Sequence, residues 1–300
     1  MKFLLAIAGV GYLGIVATVR VRERNMVFHP DERTVARPAA NFRLQQREIR
    51  YASADGTPLT AWIIPARAAD SSGMWLLICH GNYGNIGYGQ RPEFYSFARD
   101  IGLNLLAFDY RGFGASGGEP DEAGLYDDAV ASFHYLTDSL HVPPAQIVIF
   151  GHSLGSGVAT DLATRVDAAA LVLEGAFTSV VDRGQELYPF LPIGLIATQR
   201  FASRSKMPRV QEPKLFLHSP EDAVIPFAHS ERLLASATGE KSLVPVRGGH
   251  MDAYSRDKDK YFGALAEIVH RVAPTKAPPA GPFTKSGATR ISFRPRPAGF

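Results

Sequence analysis

The chain of 300 residues contains one cysteine, Cys79. A single thiol excludes an internal disulfide framework and a zinc site built from cysteines. Its neighbours Trp75 to Ile78 are apolar, which marks Cys79 as a buried, inert thiol. Metal-ligand spacing is also missing: there is no H-x-x-x-H pair and no histidine–carboxylate cluster, so no metal is expected. No internal repeat is visible. Charged residues make up 20% and hydrophobic residues 46%, which disfavours wholesale disorder, collagen, coiled coil and a polytopic membrane protein. Basic residues are scarce where nucleic-acid binding would need them. The net charge of +3 comes from the ends, because Lys276, Lys285, Arg290, Arg294 and Arg296 stand in a tail without acids, and Lys2, Arg20, Arg22 and Arg24 face Glu23 alone. The body between carries a surplus of about five acids. No nucleic-acid partner is expected, since that needs a basic face on the folded domain.

Charge is absent again from Phe3 to Val19. As a helix this run spans roughly 25 Å, a little short of a typical hydrocarbon core. Residues 1–24 are read as a single-pass N-terminal membrane anchor. A cleaved signal peptide competes, because Lys2 suits its leading region, but no small-x-small cleavage site precedes Arg20. A buried N-terminal helix is the third reading. Arg20, Arg22 and Arg24 favour a cytoplasmic body, while Lys2 and the amino terminus pull the other way, so the side of the membrane stays open. Residues 274–300 are rich in Pro, Gly and Lys/Arg and read as a disordered basic tail, a solvated extension or one resting on anionic lipid.

The body, residues 25–273, alternates strand and helix signals. Arg43 to Tyr51 alternates as a strand, Asp55-Gly56 makes a hairpin turn, and Leu59 to Ile64 returns. Short apolar runs follow at Trp75–Cys79, Leu103–Phe108, Ile147–Phe150, Leu171–Leu173, Lys214–Leu217 and Leu243–Val246, as expected of parallel strands buried on both faces. Helical faces lie between them: Leu125, Ala129, Phe133 and Leu136; then Leu154, Val158, Leu162 and Val166; and finally Leu265, Ile268, Val269 and Val272. The pattern predicts an α/β fold with a mostly parallel sheet and an antiparallel start. Sites in such folds lie at the carboxyl ends of the strands.

Gly151-His152-Ser153-Leu154-Gly155 matches G-x-S-x-G, a pattern that arises by chance roughly once in six sequences of this length. Gly114-Ala115-Ser116-Gly117-Gly118 is a second match. Context separates them. Ser153 follows the apolar run Ile147–Phe150 and precedes a helix, the strand–turn–helix order of a nucleophile elbow; Ser116 sits in a loop. The competing reading of Ser153 is a helix N-cap. Partners decide in favour of the nucleophile. Asp222 follows the run ending at Leu217 and would accept the imidazole Nδ1–H, with Glu221 as its rival. His250, after Gly248-Gly249 and the run Leu243–Val246, is the candidate base. Asp252 reads as a helix N-cap. The remaining histidines, His152 included, read as packing or surface residues. A hole for the oxyanion needs two fixed N–H donors. One is expected from Leu154, the other from Asn82 in the loop His80-Gly81-Asn82-Tyr83-Gly84, with Tyr83 as the fallback.

Together these motifs resemble the α/β-hydrolase superfamily, in particular small membrane-anchored members of the ABHD type grouped with serine aminopeptidase-like hydrolases. Phe28-His29-Pro30, Asp55-Gly56, His80-Gly81-Asn82, Asp109 to Gly114, the elbow, Leu191-Pro192, Asp222 with Val224-Ile225-Pro226, and Gly249-His250 carry the likeness, which covers Met26 to Val272. Ser219 stands where many relatives have glycine. The resemblance implies the α/β-hydrolase fold, with helices on both faces of the sheet, no cofactor, and a small-molecule or lipid acyl substrate. Relatives cleave lipid esters, thioesters and, in some cases, peptides. Asp109 to Gly114 reads as structural, with Arg111 able to pair a buried acid. Residues 177–213 read as a small apolar lid. The expected function is a serine hydrolase cleaving an acyl ester or thioester through an acyl-enzyme. Two alternatives are an aminopeptidase-like enzyme, whose substrate amine would need Glu186 or Asp182 of the lid, and a catalytically silent binding module, against which the intact Ser, Asp and His speak.

Overall fold

The computed structural model describes residues 2–31, 42, 44–67 and 72–274. In chain order the elements are α1 (Lys2–Val27), β1 (His29–Pro30), β2 (Arg47–Ala52), β3 (Pro58–Ile64), β4 (Trp75–Cys79), β5 (Tyr83–Gly84), α2 (Arg91–Asp100), β6 (Asn104–Asp109), α3 (Glu122–His134), β7 (Ile147–His152), α4 (Leu154–Leu162), β8 (Ala170–Glu174), α5 (Val180–Leu187), α6 (Ile193–Ile196), α7 (Ser203–Lys206), β9 (Lys214–His218), α8 (Ala228–Ser236), β10 (Lys241–Pro245), α9 (Ala253–Arg256) and α10 (Lys258–Val272).

Eight strands form one sheet in the order β10-β9-β8-β7-β4-β6-β3-β2. β2 and β3 are antiparallel, as is β3 against β6; every other pairing in this sheet is parallel. This is the α/β-hydrolase fold, with the predicted hairpin at its start. Successive strand residues point to opposite faces. Leu77, Phe108, Ile149 and Leu173 therefore pack under α3 and α4, against Leu125, Phe133, Val158 and Leu162. Leu76, Leu105, Phe150 and Val172 pack on the other face, against Phe94 of α2 and Tyr261, Leu265 and Ile268 of α10. Each fully buried side chain of this size contributes roughly 1.5–3 kcal/mol, so the two layers hold the sheet rigid beneath its loops. Cys79 is wholly buried, and burial pushes its thiol far above the ordinary range, as expected of an inert residue.

β10 departs from the expected double-sided burial. Its residues are exposed or half-buried, because it is the outermost strand of the sheet among the described residues. Arg111 meets its acid: its guanidinium donates to Asp128 at 2.7 Å and to Asp55 at 2.8 Å, while Asp128 also accepts from the Arg111 N–H. This ties the β2–β3 turn to α3. Ser116 is structural, donating from Oγ to the Asp109 carbonyl and accepting from the Thr60 N–H.

The N-terminal helix forms as predicted, and Phe3, Val10 and Leu13 on it are exposed. Among the described residues, however, no helix is long and apolar enough to cross a membrane. The single-pass span expected for residues 1–24 is therefore not carried by the fold; the charge-free run ends at Arg20, within a helix that continues into the body. α1 is docked by its C-terminal turns. Phe28 is buried against Phe201, and the Asn82 side chain donates to the Val27 carbonyl at 2.8 Å. The basic tail beyond residue 274 and Arg43 lie outside the described residues. Between β8 and β9, the segment 177–213 folds as the short helices α5, α6 and α7 with a 3₁₀ turn at Met207–Arg209.

Candidate active site

The sheet delivers three loops to one edge. β7 ends at His152, and Ser153 is the sharp turn into α4, with φ 52° and ψ −122°. A non-glycine residue in this region stores of order 1–3 kcal/mol, held here by its surroundings. The Ser153 N–H donates to the Glu174 carbonyl at 3.0 Å. Flanking side chains would not fit: a Cβ on Gly151 would lie 2.4 Å from the Gly155 carbonyl oxygen, and one on Gly155 would lie 2.0 Å from that of Cys79. The elbow therefore presses directly onto β4.

β9 supplies the acid and β10 the histidine. Ser153 Oγ lies 2.8 Å from His250 Nε2, and His250 Nδ1 lies 2.6 Å from Asp222 Oδ2. Asp222 Oδ1 accepts from the N–H groups of Val224 and Ile225, both at 2.8 Å. Burial opposes its ionisation, but hydrogen bonds from His218, His250 and the Ile225 N–H outweigh burial and hold the carboxyl well below the usual range. Glu221, the rival, is exposed. Ser219 acts as a tie, donating from Oγ to the Gly248 carbonyl and accepting from the Glu221 N–H, so the acid and histidine loops are joined. Asp252 sits at the start of α9, but its carboxylate accepts from the Gly249 N–H at 2.6 Å and from Arg256 instead of capping the helix. It braces the His250 loop.

His152 does more than pack. Its Nε2 lies 3.0 Å from the His250 carbonyl, so it carries the proton there and donates. Burial, with the neighbouring His250 adding to it, pushes its pKa down to about 3 and keeps it neutral. Asn82 and Leu154 line the same cavity as Ser153 and His250. The Asn82 side chain is engaged with Val27, which leaves its main-chain N–H as the candidate donor. Leu154 is the first residue of α4, where helical N–H groups lack intrahelical partners. Arg91 steadies this loop by donating to the carbonyls of Gly81, Tyr83 and Asn85.

Four contributors escaped the sequence reading. Gly175, one residue past β8, has φ +53° and faces His250. His218 donates to the Ile225 carbonyl at 2.9 Å and lies 3.4 Å from Asp222. Arg91 and Glu23 reach the site from helices far away in sequence. Only Gly175 carried a signal, a glycine at a strand exit. Neither lid acid proposed for an amine, Glu186 or Asp182, lines the cavity, and Glu186 is held by His229 at 2.9 Å, Arg232 at 3.1 Å and Arg183 at 3.2 Å.

The cavity over Ser153 has a volume of about 300 Å³ and is mostly apolar, with Val19 and Val27 of α1, Val180 of α5, Ile193 and Ile196 of α6, and Met251 among its walls. That volume is at the small end of ordinary small-molecule sites.

Comparison with known proteins agrees with this architecture. A family model for the α/β-hydrolase fold matches residues 75–193. An uncharacterized protein of Mycobacterium tuberculosis is 35% identical over 271 residues, covering 90% of this chain and 95% of the relative. The lysophosphatidylserine lipase ABHD12 of Danio rerio is 33% identical over 195 residues, covering 59% of this chain and 50% of that protein. Among solved structures, the Pyrococcus furiosus esterase Pf2001 superposes with a TM-score of 0.67 at 17% identity, over 83% of this chain and 98% of the esterase. The chain belongs to the α/β-hydrolase superfamily and is a hydrolase of that class.

Proposed function

We propose that the protein is a serine hydrolase that cleaves acyl esters or thioesters through a covalent acyl-enzyme. The carrying observation is the unbroken hydrogen-bond chain from Ser153 Oγ through His250 to Asp222, at 2.8 Å and 2.6 Å. His250 takes the Ser153 proton as Oγ attacks the acyl carbonyl. The N–H groups of Leu154 and Asn82 hold the oxyanion, a contribution of roughly 3–4 kcal/mol per donor in comparable sites. His250, now an imidazolium stabilised by Asp222, returns its proton to the leaving oxygen or sulfur. Water, deprotonated by His250, then releases the acid.

The apolar cavity supports an acyl chain as the recognised part of the substrate. The lipase named among the relatives and the esterase among the structural neighbours agree with that class. The exposed apolar side chains of α1 support attachment to a lipid surface rather than a full span. The peptidase alternative lacks a lid acid at the cavity, since neither Glu186 nor Asp182 is among its lining residues.

A fluorophosphonate probe tests this reading. Wild-type protein is expected to label and to release p-nitrophenol from short-chain esters, and Ser153→Ala is expected to do neither. Undiminished labelling of Ser153→Ala would remove the proposal.

A further inference from the structure

The N-terminal helix does not merely precede the enzyme. Tyr12, Val16, Val19, Glu23 and Val27 recur every three or four residues and therefore share one face of α1. That face meets the lid segment. Tyr12 donates to the Phe190 carbonyl at 2.9 Å. Glu23, 9% exposed, accepts from the N–H groups of Thr198 and Gln199 at 2.7 and 2.8 Å and from the Thr198 hydroxyl at 2.5 Å. The chain after α6 is gripped at its far end too, where Glu122 of α3 accepts from the N–H groups of Arg200 and Phe201. Two carboxylates, one from α1 and one from α3, thus hold four successive residues by their main-chain donors. Each bond of this kind is charge-assisted and stronger than a neutral pair.

The clasp closes directly over the cavity. Val19, Arg20, Glu23, Met26 and Val27 of α1 line this cavity together with Ile193 and Ile196 of α6, Ala197 and Ser153.

Resting on the acyl-hydrolase reading above, we propose that α1 is the acyl-chain selectivity wall of the enzyme, and that Glu23 is the positioning residue that fixes the width of the acyl passage by clasping the return segment of the lid. Val19 and Met26 of α1, with Ile193 and Ile196 of α6, measure the chain. The carboxylate of Glu23 serves the passage through Thr198 and Gln199 and does not touch the reacting carbonyl.

The full chain is assayed with p-nitrophenyl esters from acetate to hexadecanoate, and kcat and KM are recorded at each length. Val19→Trp is expected to lower the ratio of kcat/KM for the decanoate over the acetate by about tenfold or more, the discrimination a filled hydrophobic pocket provides. Glu23→Ala is expected to flatten the same profile by freeing residues 198–199. Val21→Trp, on an 83% exposed position of the same helix, is expected to leave the profile as in the wild type. A wild-type profile in both Val19→Trp and Glu23→Ala, with fluorophosphonate labelling of Ser153 retained, overturns the selectivity wall and leaves the serine-hydrolase reading standing. Loss of that reading shows separately, as labelling that persists in Ser153→Ala.

Discussion

Gly175→Ala concentrates the geometry of the site into a single methyl group. Gly175 has φ +53°, and an added Cβ would lie 3.0 Å from His250 Cε1, 3.1 Å from Nδ1 and 3.5 Å from Asp222 Oδ2. Ordinary carbon contacts need 3.5–4.0 Å, so about 0.5 Å must be found. The backbone has little freedom to supply it, because the Gly175 N–H donates to the Leu217 carbonyl at 3.0 Å and the preceding Glu174 carbonyl accepts from Ser153. The imidazole must move instead. A shift of about 0.5 Å takes the 2.8 Å Ser153–His250 bond to the limit of hydrogen bonding. Since a 1 Å misplacement can lower turnover about a hundredfold, kcat is expected to fall on the order of tenfold. The left-handed backbone adds about 1–2 kcal/mol of strain, which for a domain of this size lowers Tm by about 2–8 °C. Gly56→Ala separates the two effects. Gly56 has φ +87° and nothing within 4 Å of its added Cβ, so its substitution carries the backbone strain alone. Ester-hydrolysis kinetics and thermal unfolding are measured on both. Unchanged turnover in Gly175→Ala, or an equal loss in Gly56→Ala, refutes the reasoning.

Two further expectations concern the acids. Asp222→Asn presents an amide where His250 Nδ1 now donates, favours the wrong tautomer, and is expected to lower kcat about 10⁴-fold with the fold retained by circular dichroism; a loss under tenfold would remove Asp222 from the proton relay. Burial pushes the Glu174 carboxyl up to about 8, with Tyr261 pulling against it and the charge of Asp222 adding to it. A raised carboxyl pKa means the folded state holds a proton that the unfolded chain has already lost above its ordinary pKa near 4.5, so stability falls as pH rises towards 8. Glu174→Gln is expected to flatten the fall of Tm between pH 5 and 8, and a variant whose Tm declines as steeply as the wild type would show that the carboxyl is not protonated in the fold.

The strands were legible because they are buried on both faces: β4, β6, β7, β8 and β9 each read as a short apolar run. β10 misled because an edge strand can be apolar in sequence without being covered. Ser153, Asp222 and His250 were legible because each lies in the turn or loop that leaves a strand's carboxyl end, where a parallel sheet brings distant loops together. His218, Arg91 and Glu23 were not. Their roles consist of hydrogen bonds to main-chain groups or to other site residues, and such bonds leave no spacing pattern. Asp252 was read from its place before a short helix, while its carboxylate answers to Gly249 and Arg256. The N-terminal run was read from its apolarity alone, which says nothing of the Glu23 clasp at its end.

The grip of Arg91 on the loop after β4 has a consequence for how this enzyme can change. Its guanidinium holds the carbonyls of Gly81, Tyr83 and Asn85, atoms every amino acid possesses. Identity at Tyr83 can therefore drift while the main-chain N–H of Asn82, the proposed oxyanion donor, keeps its aim. A framework secured in this way separates what must be conserved for chemistry from what is free to vary for substrate choice, and it gives directed evolution a rim it can rewrite without disturbing the hearth.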